Sequence, residues 1–283
     1  IRQFSEQTVD FGATDAPMTD EEMAKAKGGP VLHFPTVLGA DVVTYNLPGV
    51  TQPLRLTGAL IADIFLGKIK KWNDQRLTAL NSGLQLPNQD VLVVHRSDGS
   101  GTTYVFTDYL TVVSPAWAAG PGKGKDVRWP VGLGGKGNEG VAGQVKQTPG
   151  SIGYVELAYA TQNRLPAALV SNSTTAFIEP TIQSIVAAAA AALPTFGPTS
   201  DYRVSIVNAG GAESYPIASF TWLLVYENQP DASKGQKLVD FMKWMYAEGQ
   251  TAAEALDYAP LPPELRQQLT ERLATIRLGS AAP

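Results

Sequence analysis

The chain has 283 residues, of which 44% are hydrophobic and 17% are charged; this is enough for one large or two ordinary folded domains, and it excludes a wholly disordered chain. Its net charge of −4 excludes an overall basic field that would attract nucleic acid, so an anionic ligand requires a local positive pocket. The sequence has no cysteine and only two histidines, His33 and His95. Disulfides and thiolate nucleophiles are therefore excluded, and multi-histidine metal sites and most histidine-based triads are disfavoured.

No segment of the sequence has the ~20 consecutive apolar residues that a membrane-spanning helix requires. The nearest candidate, residues 185–193, is mostly alanine and predicts a surface helix or a loose linker. No secretory signal is visible at Ile1. A mature or trimmed exported protein would look the same.

The first part of the chain predicts short elements followed by one long strand. Residues 1–11 indicate the end of a helix leading into a short strand at 9–12, and a polar turn follows. Thr19 then caps a helix whose first turn is acidic. The β-branched and aromatic residues of 34–46 predict a long strand, and 60–66 predicts a helix that ends at Gly67.

The middle and last parts alternate between strand and helix patterns. Residues 90–95 (DVLVVH) form a nearly continuous apolar run, typical of a strand buried on both faces of a parallel sheet, and a helical pattern begins at Tyr104. Further strands are predicted at 150–157 and 219–226, and amphipathic helices at 237–246 and 262–276. This alternation predicts an α/β fold with largely parallel sheets.

The strand-to-helix turn at 95–104 carries the strongest functional signal. A helix N-terminus presents backbone N–H groups that lack intrahelical partners, together with a partial positive charge. Gly99 and Gly101 let the backbone approach a ligand closely, and Ser100, Thr102 and Thr103 add hydroxyl donors. These groups predict an anion-binding turn.

Arg96, at the end of the predicted strand, offers a planar fork for two oxygens of a tetrahedral oxyanion, and Asp98 is placed to orient that fork. Each charge-assisted hydrogen bond contributes about 1.5–3 kcal/mol, so several reach the roughly 8 kcal/mol of micromolar affinity. The same residues also occur in ordinary turns and surface ion pairs, so the turn alone leaves both interpretations open. It matches neither a Walker loop nor a hydrolase elbow.

Six sequence blocks are distinctive: VDFGATDAPMTDEE (9–22), LGKIKKWND (66–74), RSDGSGTT (96–103), WPVGLGGKGNEGVAG (129–143), TPGSIGYVELAYA (148–160) and LDYAPLP (256–262). In this order, they resemble the periplasmic phosphate-binding proteins of the PstS type. The resemblance covers almost the whole chain and implies a two-lobed periplasmic-binding-protein clamp, with mainly parallel sheets and phosphate between the lobes. We expect two crossings between the lobes, near 36–43 and 216–224. Lobe I is then 1–40 with 223–283, and lobe II is 41–222.

The resemblance also implies roles for individual residues. It implies that Asp98 orients Arg96, and that phosphate is contacted from lobe II by Arg96, Ser100, Gly101 and Thr102, and from lobe I by Asp15. Phosphate near neutral pH keeps a proton that an ionised aspartate can accept, whereas sulfate has none. In this role Asp15 favours phosphate over sulfate, because its carboxylate repels an anion that carries no proton. The residues alone favour a helix cap or a turn before Pro17 as the role of Asp15, and the resemblance reverses that preference.

The function implied is that of a binding protein rather than an enzyme, acting as a monomer without cofactor or metal. It captures inorganic phosphate in the periplasm or at the cell surface and delivers it to the membrane permease of an ABC importer. Three alternatives remain: a receptor for another oxyanion such as sulfate, arsenate or molybdate; a phosphatase with Ser100 as nucleophile; and an interaction module that has lost ligand binding. The phosphatase needs a nearby base or metal site, for which the sequence offers no evident group.

Two further expectations concern the rest of the chain. Members of the family carry a strand, a Gly-rich loop, a helix and a second Ser-Gly loop before the segment that resembles Ile1. We therefore expect weak or absent phosphate binding by these 283 residues alone, compared with an N-terminally extended version. The two histidines are expected to be packing or surface residues, and the core is expected to contain Trp72, Trp129, Trp222 and Trp244.

Overall fold

The computed structural model describes residues 1–279 and divides into two compact units. Unit 1 consists of Ile1–Leu38, Ala192–Ser205 and Phe220–Pro283, and unit 2 consists of Gly39–Ala191 and Ile206–Ser219. Two long strands, β2 (Val31–Tyr45) and β9 (Ala218–Tyr226), contribute residues to both units. In the described part of the chain no helix is both long enough and apolar enough to span a bilayer.

Unit 1 contains the elements near both chain ends. They are α1 (Arg2–Ser5), β1 (Gly12–Thr14), α2 (Asp20–Ala24), β10 (Asn228–Gln229), α10 (Ala232–Tyr246), α11 (Pro263–Arg272) and β11 (Arg277–Leu278). Strand β1 pairs antiparallel with β9, so that Thr14 lies opposite Trp222. Helix α2 begins with the predicted cap: the Thr19 hydroxyl accepts from the Glu22 N–H, and the Glu22 carboxylate accepts from the Thr19 N–H.

Unit 2 holds most of the helices and the inner strands. They are β3 (Arg55–Leu56), α3 (Gly58–Phe65), α4 (Gln75–Leu80), β4 (Leu92–Arg96), α5 (Gly101–Val113), α6 (Pro115–Ala119), β5 (Leu133–Gly135), α7 (Gly137–Gln147), β6 (Ser151–Glu156), α8 (Leu157–Asn163), β7 (Leu169–Ser171), β8 (Phe177–Ile178) and α9 (Ile182–Ala192). The main sheet is mixed: β4 is parallel to both β5 and β6, and β6 is antiparallel to β2. The core between this sheet and α7 is built largely from valine. Such β-branched residues pack well on a pleated surface.

The predicted strands and helices are present, with shifted ends. Helix α5 starts at Gly101 rather than at Tyr104, because the Ser100 hydroxyl accepts from the Thr103 N–H and so begins the helix earlier. The first strand lies at Gly12–Thr14 rather than at 9–12, where it pairs with β9. The alanine-rich segment forms helix α9, and Ile185 on it is fully buried, which makes it a packed helix rather than a loose linker.

Residues 192–205 lie in unit 1, although the sequence analysis assigned them to lobe II. The Trp222 indole N–H donates to the Tyr202 carbonyl over 2.8 Å, and His33 Nδ1 lies 2.7 Å from an Asp201 carboxylate oxygen. The partners are far apart along the chain, so no local pattern marks them. The chain passes between the units at 38–39 and 219–220, inside the two predicted crossing segments, and also at 191–192 and 205–206. The predicted lobe boundaries stay a prediction.

The four tryptophans predicted to lie in the core differ in how deeply they are buried. Trp72 and Trp222 are buried as expected, and Trp129 is half-buried against the His95 ring, with ring centroids 4.7 Å apart. The prediction for Trp244 is wrong, since it is 50% exposed. Helix α10 buries Leu238, Val239, Met242 and Tyr246, and Trp244 falls outside that helical stripe.

Candidate functional site

The turn between β4 and α5 in unit 2 is the site that the sequence indicated. Strand β4 lies between two parallel neighbours and ends at Arg96, so the turn follows the carboxyl end of an inner strand, where α/β folds commonly bind ligands. Ser100 caps α5, and its own N–H donates to the Lys125 carbonyl over 2.8 Å. The side chains of Ser100 and Thr102 are only 4% and 3% exposed. The turn is therefore anchored at both ends.

Arg96 and Asp98 form a bidentate pair inside this turn. Arg96 Nε donates to Asp98 Oδ1 over 2.9 Å, and Nη2 donates to Oδ2 over 2.7 Å. The Gly137 N–H, at the start of α7, also donates to Asp98 Oδ1 over 3.0 Å. These contacts confine the Arg96 side chain, which is 9% exposed, to one orientation.

The pair is electrostatically stable. Hydrogen bonds from Arg96 lower the pKa of Asp98 to about 2, against the opposing effect of partial burial. Burial disfavours the charged form of Arg96, but the bonds and charge of Asp98, with weaker contributions from other groups, leave its pKa above the ordinary value. Both side chains are therefore ionised at neutral pH.

The Arg96 guanidinium keeps donors for a ligand. Its third bond runs from Nη1 to Thr102 Oγ1, at 3.3 Å. A guanidinium has five N–H groups, so one N–H on each terminal nitrogen has no acceptor among the hydrogen bonds of the described residues. Two N–H donors on neighbouring nitrogens suit two oxygens of a tetrahedral anion.

Sequence reasoning missed three residues beside the turn. Asn138 Nδ2 lies 3.4 Å from Thr102 Oγ1 and 3.3 Å from Glu156 Oε1. The Tyr154 hydroxyl lies 2.7 Å from Thr103 Oγ1 and accepts from the Arg96 N–H over 3.2 Å, and burial raises its pKa far above the ordinary value. Tyr154 and Glu156 belong to β6, the parallel neighbour of β4. The sequence feature that could have identified them is a polar residue at the carboxyl end of a strand adjacent to a ligand-binding turn.

Asp15 lies in unit 1, directly after β1. The Thr221 hydroxyl donates to Asp15 Oδ1 over 2.5 Å, and the Thr14 hydroxyl donates to the Ala16 carbonyl over 2.7 Å. The cap of α2 is Thr19, so the alternative in which Asp15 caps this helix is wrong. The role of Asp15 in ligand binding stays a prediction.

His33 anchors the chain just beyond Asp15. The Met18 N–H donates to His33 Nε2 over 3.0 Å; because Nε2 accepts, the proton of the neutral ring lies on Nδ1, which donates to Asp201. Arg203 Nη1 donates to the Met18 carbonyl over 3.0 Å. Both peptide groups of Met18 are thereby held. His33 is fully buried and is a hydrogen-bonded packing residue.

The structure brings five of the six predicted residues into one turn, while Asp15 lies in the other unit. Those five are Arg96, Asp98, Ser100, Gly101 and Thr102. Among residues 1–279, no group of three or more histidine, aspartate or glutamate side chains is arranged to hold a metal ion. The turn combines a fixed guanidinium with the N-terminal N–H groups of a helix, an arrangement that binds anions without a metal.

Comparison with known sequences identifies close relatives. A family model described as a PBP superfamily domain matches residues 1–248. The phosphate-binding protein PstS of Xylella fastidiosa is 44% identical over 270 residues, covering 95% of this chain and 73% of the relative. PstS of Haemophilus influenzae is 45% identical over 267 residues, covering 93% and 78%. PstS of Methanocaldococcus jannaschii is 40% identical over 281 residues, covering 93% and 72%.

Comparison with solved structures confirms the predicted two-lobed α/β fold. A high-affinity periplasmic phosphate-binding protein (PfluDING) solved with bound phosphate has a TM-score of 0.74 at 19% identity, covering 93% of this chain and 78% of the other. A phosphate-binding protein from Stenotrophomonas maltophilia has a TM-score of 0.72 at 19% identity, covering 96% and 83%. At such low identity these two structures bear on the fold alone. The family follows from the sequence relatives: this chain belongs to the PBP superfamily and, within it, to the PstS phosphate-binding proteins.

Proposed function

We propose that the protein binds inorganic phosphate at the turn between β4 and α5 and hands it, unchanged, to the membrane permease of an ABC importer. The observation that carries the proposal is the Arg96 guanidinium, held by Asp98 next to the N-terminus of α5. The family supports it, since relatives such as the Xylella fastidiosa protein bear the name phosphate-binding protein. A family of this kind works outside the inner membrane, so we place the protein in the periplasm or at the cell surface.

The donors of the turn are sufficient for tight binding. Arg96 offers two N–H groups, and the N–H groups of Gly101 and Thr102 lie in the first helical turn, where no intrahelical acceptor exists. The Ser100 oxygen accepts from Thr103, which leaves its hydroxyl proton to donate. Hydrogen bonds to a charged group contribute about 1.5–3 kcal/mol each, so four to five of them reach the roughly 8–12 kcal/mol of micromolar to nanomolar affinity.

Asp15 supplies the selectivity in this proposal. An ionised carboxylate accepts the proton that phosphate retains near neutral pH, and it repels the fully ionised sulfate. The Thr221 hydroxyl donates to one Asp15 oxygen, which fixes the orientation of the carboxylate.

Binding without catalysis fits the surroundings of the candidate nucleophile. Ser100 Oγ serves as the helix cap, bonded to the Thr103 N–H, rather than to a general base. The ring nitrogens of His33 bond to Met18 and Asp201, and His95 Nδ1 bonds to the Arg96 carbonyl. Steady hydrolysis of a chromogenic phosphate ester that disappears in Ser100→Ala would support a phosphatase instead.

Titration calorimetry of the native protein with phosphate and with sulfate tests the proposal. We expect micromolar or tighter binding of phosphate and at least roughly 100-fold weaker binding of sulfate, because an unsatisfied buried acceptor facing an anion costs several kcal/mol. Asp15→Asn should weaken phosphate binding by about 10- to 100-fold and narrow the gap between the two anions.

The matched control is Asp10→Asn, which removes a 69% exposed carboxylate of unit 1 and should leave both affinities unchanged. Absence of phosphate binding would overturn the proposed function. An Asp15→Asn protein that rejects sulfate as strongly as the wild type would overturn only the role of Asp15.

A further inference from the structure

Glu156 places a second carboxylate beside the anion-binding turn. It ends β6, the strand parallel to β4, and its Oε1 lies 3.4 Å from Thr102 Oγ1 and 3.3 Å from Asn138 Nδ2. Thr102 and Asn138 are 3% and 7% exposed. The carboxylate is therefore in contact with a residue assigned to phosphate, in the part of the molecule where an anion is expected to bind.

The hydrogen atoms of this group can be assigned from their partners. The Glu156 N–H donates to Asn138 Oδ1 over 3.3 Å, so the Asn138 amide nitrogen is the atom that faces Thr102. Arg96 Nη1 and Asn138 Nδ2 can only donate, and both point at Thr102 Oγ1. The Thr102 oxygen therefore accepts two bonds, and its single proton is directed to Glu156 Oε1.

A phosphate oxygen that accepts a hydrogen bond from the Thr102 hydroxyl must replace Glu156 as the acceptor of that bond. Both acceptors are anionic, so the exchange replaces one charge-assisted bond with another and yields less free energy than a new bond would. The charges around Thr102 also limit the free energy of phosphate binding. Arg96 carries one positive charge, whereas Asp98 and Glu156 carry one negative charge each, so the group is already net negative before an anion enters.

We propose that Glu156 is a positioning residue that holds the Thr102 hydroxyl in the ligand-free form and keeps the phosphate affinity below what the turn alone supplies. The inference rests on the proposed function and adds a device for release: the Thr102 hydroxyl, which keeps its proton, donates its hydrogen bond to Glu156 again as phosphate leaves. A site that must surrender its ligand to a permease gains a faster dissociation rate in this way. Differences in affinity between related sites arise mostly in that rate.

Glu156→Gln tests this inference in the native protein. Removing the charge while keeping the shape should tighten phosphate binding about tenfold, which corresponds to about 1.4 kcal/mol, and most of the gain should appear as slower dissociation in stopped-flow displacement experiments. The matched control is Glu179→Gln, which removes an exposed carboxylate of the same unit and should change the affinity less than about twofold.

A double-mutant cycle with Thr102→Val separates the hydroxyl exchange from the loss of charge. Valine keeps the shape of Thr102 and removes its hydroxyl, so Glu156→Gln should tighten binding only about threefold in that background. Glu156→Asp, which keeps the charge and withdraws the carboxylate by one methylene group, should give an intermediate gain and provides a second measurement if the glutamine variant does not fold.

Phosphate binding that is unchanged or weaker in both Glu156 variants would overturn the inference, as would an equal gain with and without the Thr102 hydroxyl. A purely structural role predicts weaker binding together with a lower melting temperature of the ligand-free protein. If the wild-type protein binds no phosphate, the proposed function fails and this inference fails with it. Wild-type binding without a gain in the variants rejects the inference alone.

Discussion

The turn between β4 and α5, here called the Arg96 turn, and the segment 15–19 after β1, here called the Asp15 turn, are held in place differently. Their bonding partners lie at different distances along the chain. In the Arg96 turn, the side chains of Arg96 and Ser100 bond to near neighbours, Asp98 two positions on and Thr103 three positions on. More distant residues, Lys125, Gly137 and Tyr154, add bonds to this local frame. The Asp15 turn depends on distant partners, including Thr221, which is 206 positions away along the chain. Two regions assigned to one ligand thus rely on different parts of the fold.

This difference predicts whether a substitution in each turn affects binding or folding. A local turn supported by an inner strand and a capped helix retains its shape when one functional side chain is removed, so its substitutions should affect binding more than folding. A turn anchored through His33 and Asp201 shares its stability with the rest of unit 1. Substitutions of those anchoring residues should affect folding first.

Arg96→Ala should give the largest effect. It removes two charge-assisted bonds to the anion at about 1.5–3 kcal/mol each, so phosphate affinity measured by calorimetry should fall by more than about 100-fold while the circular dichroism spectrum is retained. The control is Arg76→Ala, in which an exposed arginine paired with Asp74 and Asp63 is removed from the same unit. Equal losses of affinity in the two variants would contradict the assignment of the site.

His33→Ala should come next and should act on stability. It removes a fully buried ring and leaves the Met18 N–H without its acceptor, which together cost about 2–3 kcal/mol of the free energy of unfolding. Urea denaturation provides the measurement. His95→Ala, in which a half-buried ring stacked on Trp129 is lost, should cost less. The reverse order would mean that the Asp15 turn does not depend on its distant anchors.

Asp98→Asn should give the smallest effect, with a defined pH dependence. The pKa of Asp98 is about 2 in the folded protein against an ordinary value of 3.8, so its stabilisation is present above about pH 4 and is lost as the pH falls towards 2. Asp98 is 32% exposed, so solvent screens its interaction with Arg96. We therefore expect the Asp98 carboxylate to contribute about 1–2 kcal/mol to the free energy of unfolding at pH 7.

The measurement is urea unfolding of wild type and Asp98→Asn at pH 7, 4 and 3. The difference between the two proteins should shrink as the pH falls. Asp74→Asn is the matched control, since asparagine preserves the cap of α4 and only the exposed pair with Arg76 is lost; its cost should stay below about 0.5 kcal/mol. A difference for Asp98→Asn that grows towards pH 3 would show that the pKa is raised rather than lowered.

The sequence by itself determined the local part of the Arg96 turn, because Arg96 and Ser100 have side-chain partners within three positions and the strand and helix on either side have their own periodic patterns. Asp98, Ser100, Gly101 and Thr102 were identified with Arg96 for that reason. Strand and helix positions elsewhere followed from the same local rules, with ends displaced where a cap or a pairing strand intervened, as at Gly101 and β1.

Only the tertiary structure decided which distant groups meet. It assigned residues 192–205 to unit 1 through Tyr202 and Asp201, left Trp244 half-exposed, and brought Asn138 and Glu156 to Thr102. Hydrogen-bond partners separated by tens or hundreds of residues depend on how whole elements pack, and periodicity carries no information on that packing. The turn proposed to bind the anion could therefore be identified from the sequence, whereas the carboxylate proposed to regulate it could not.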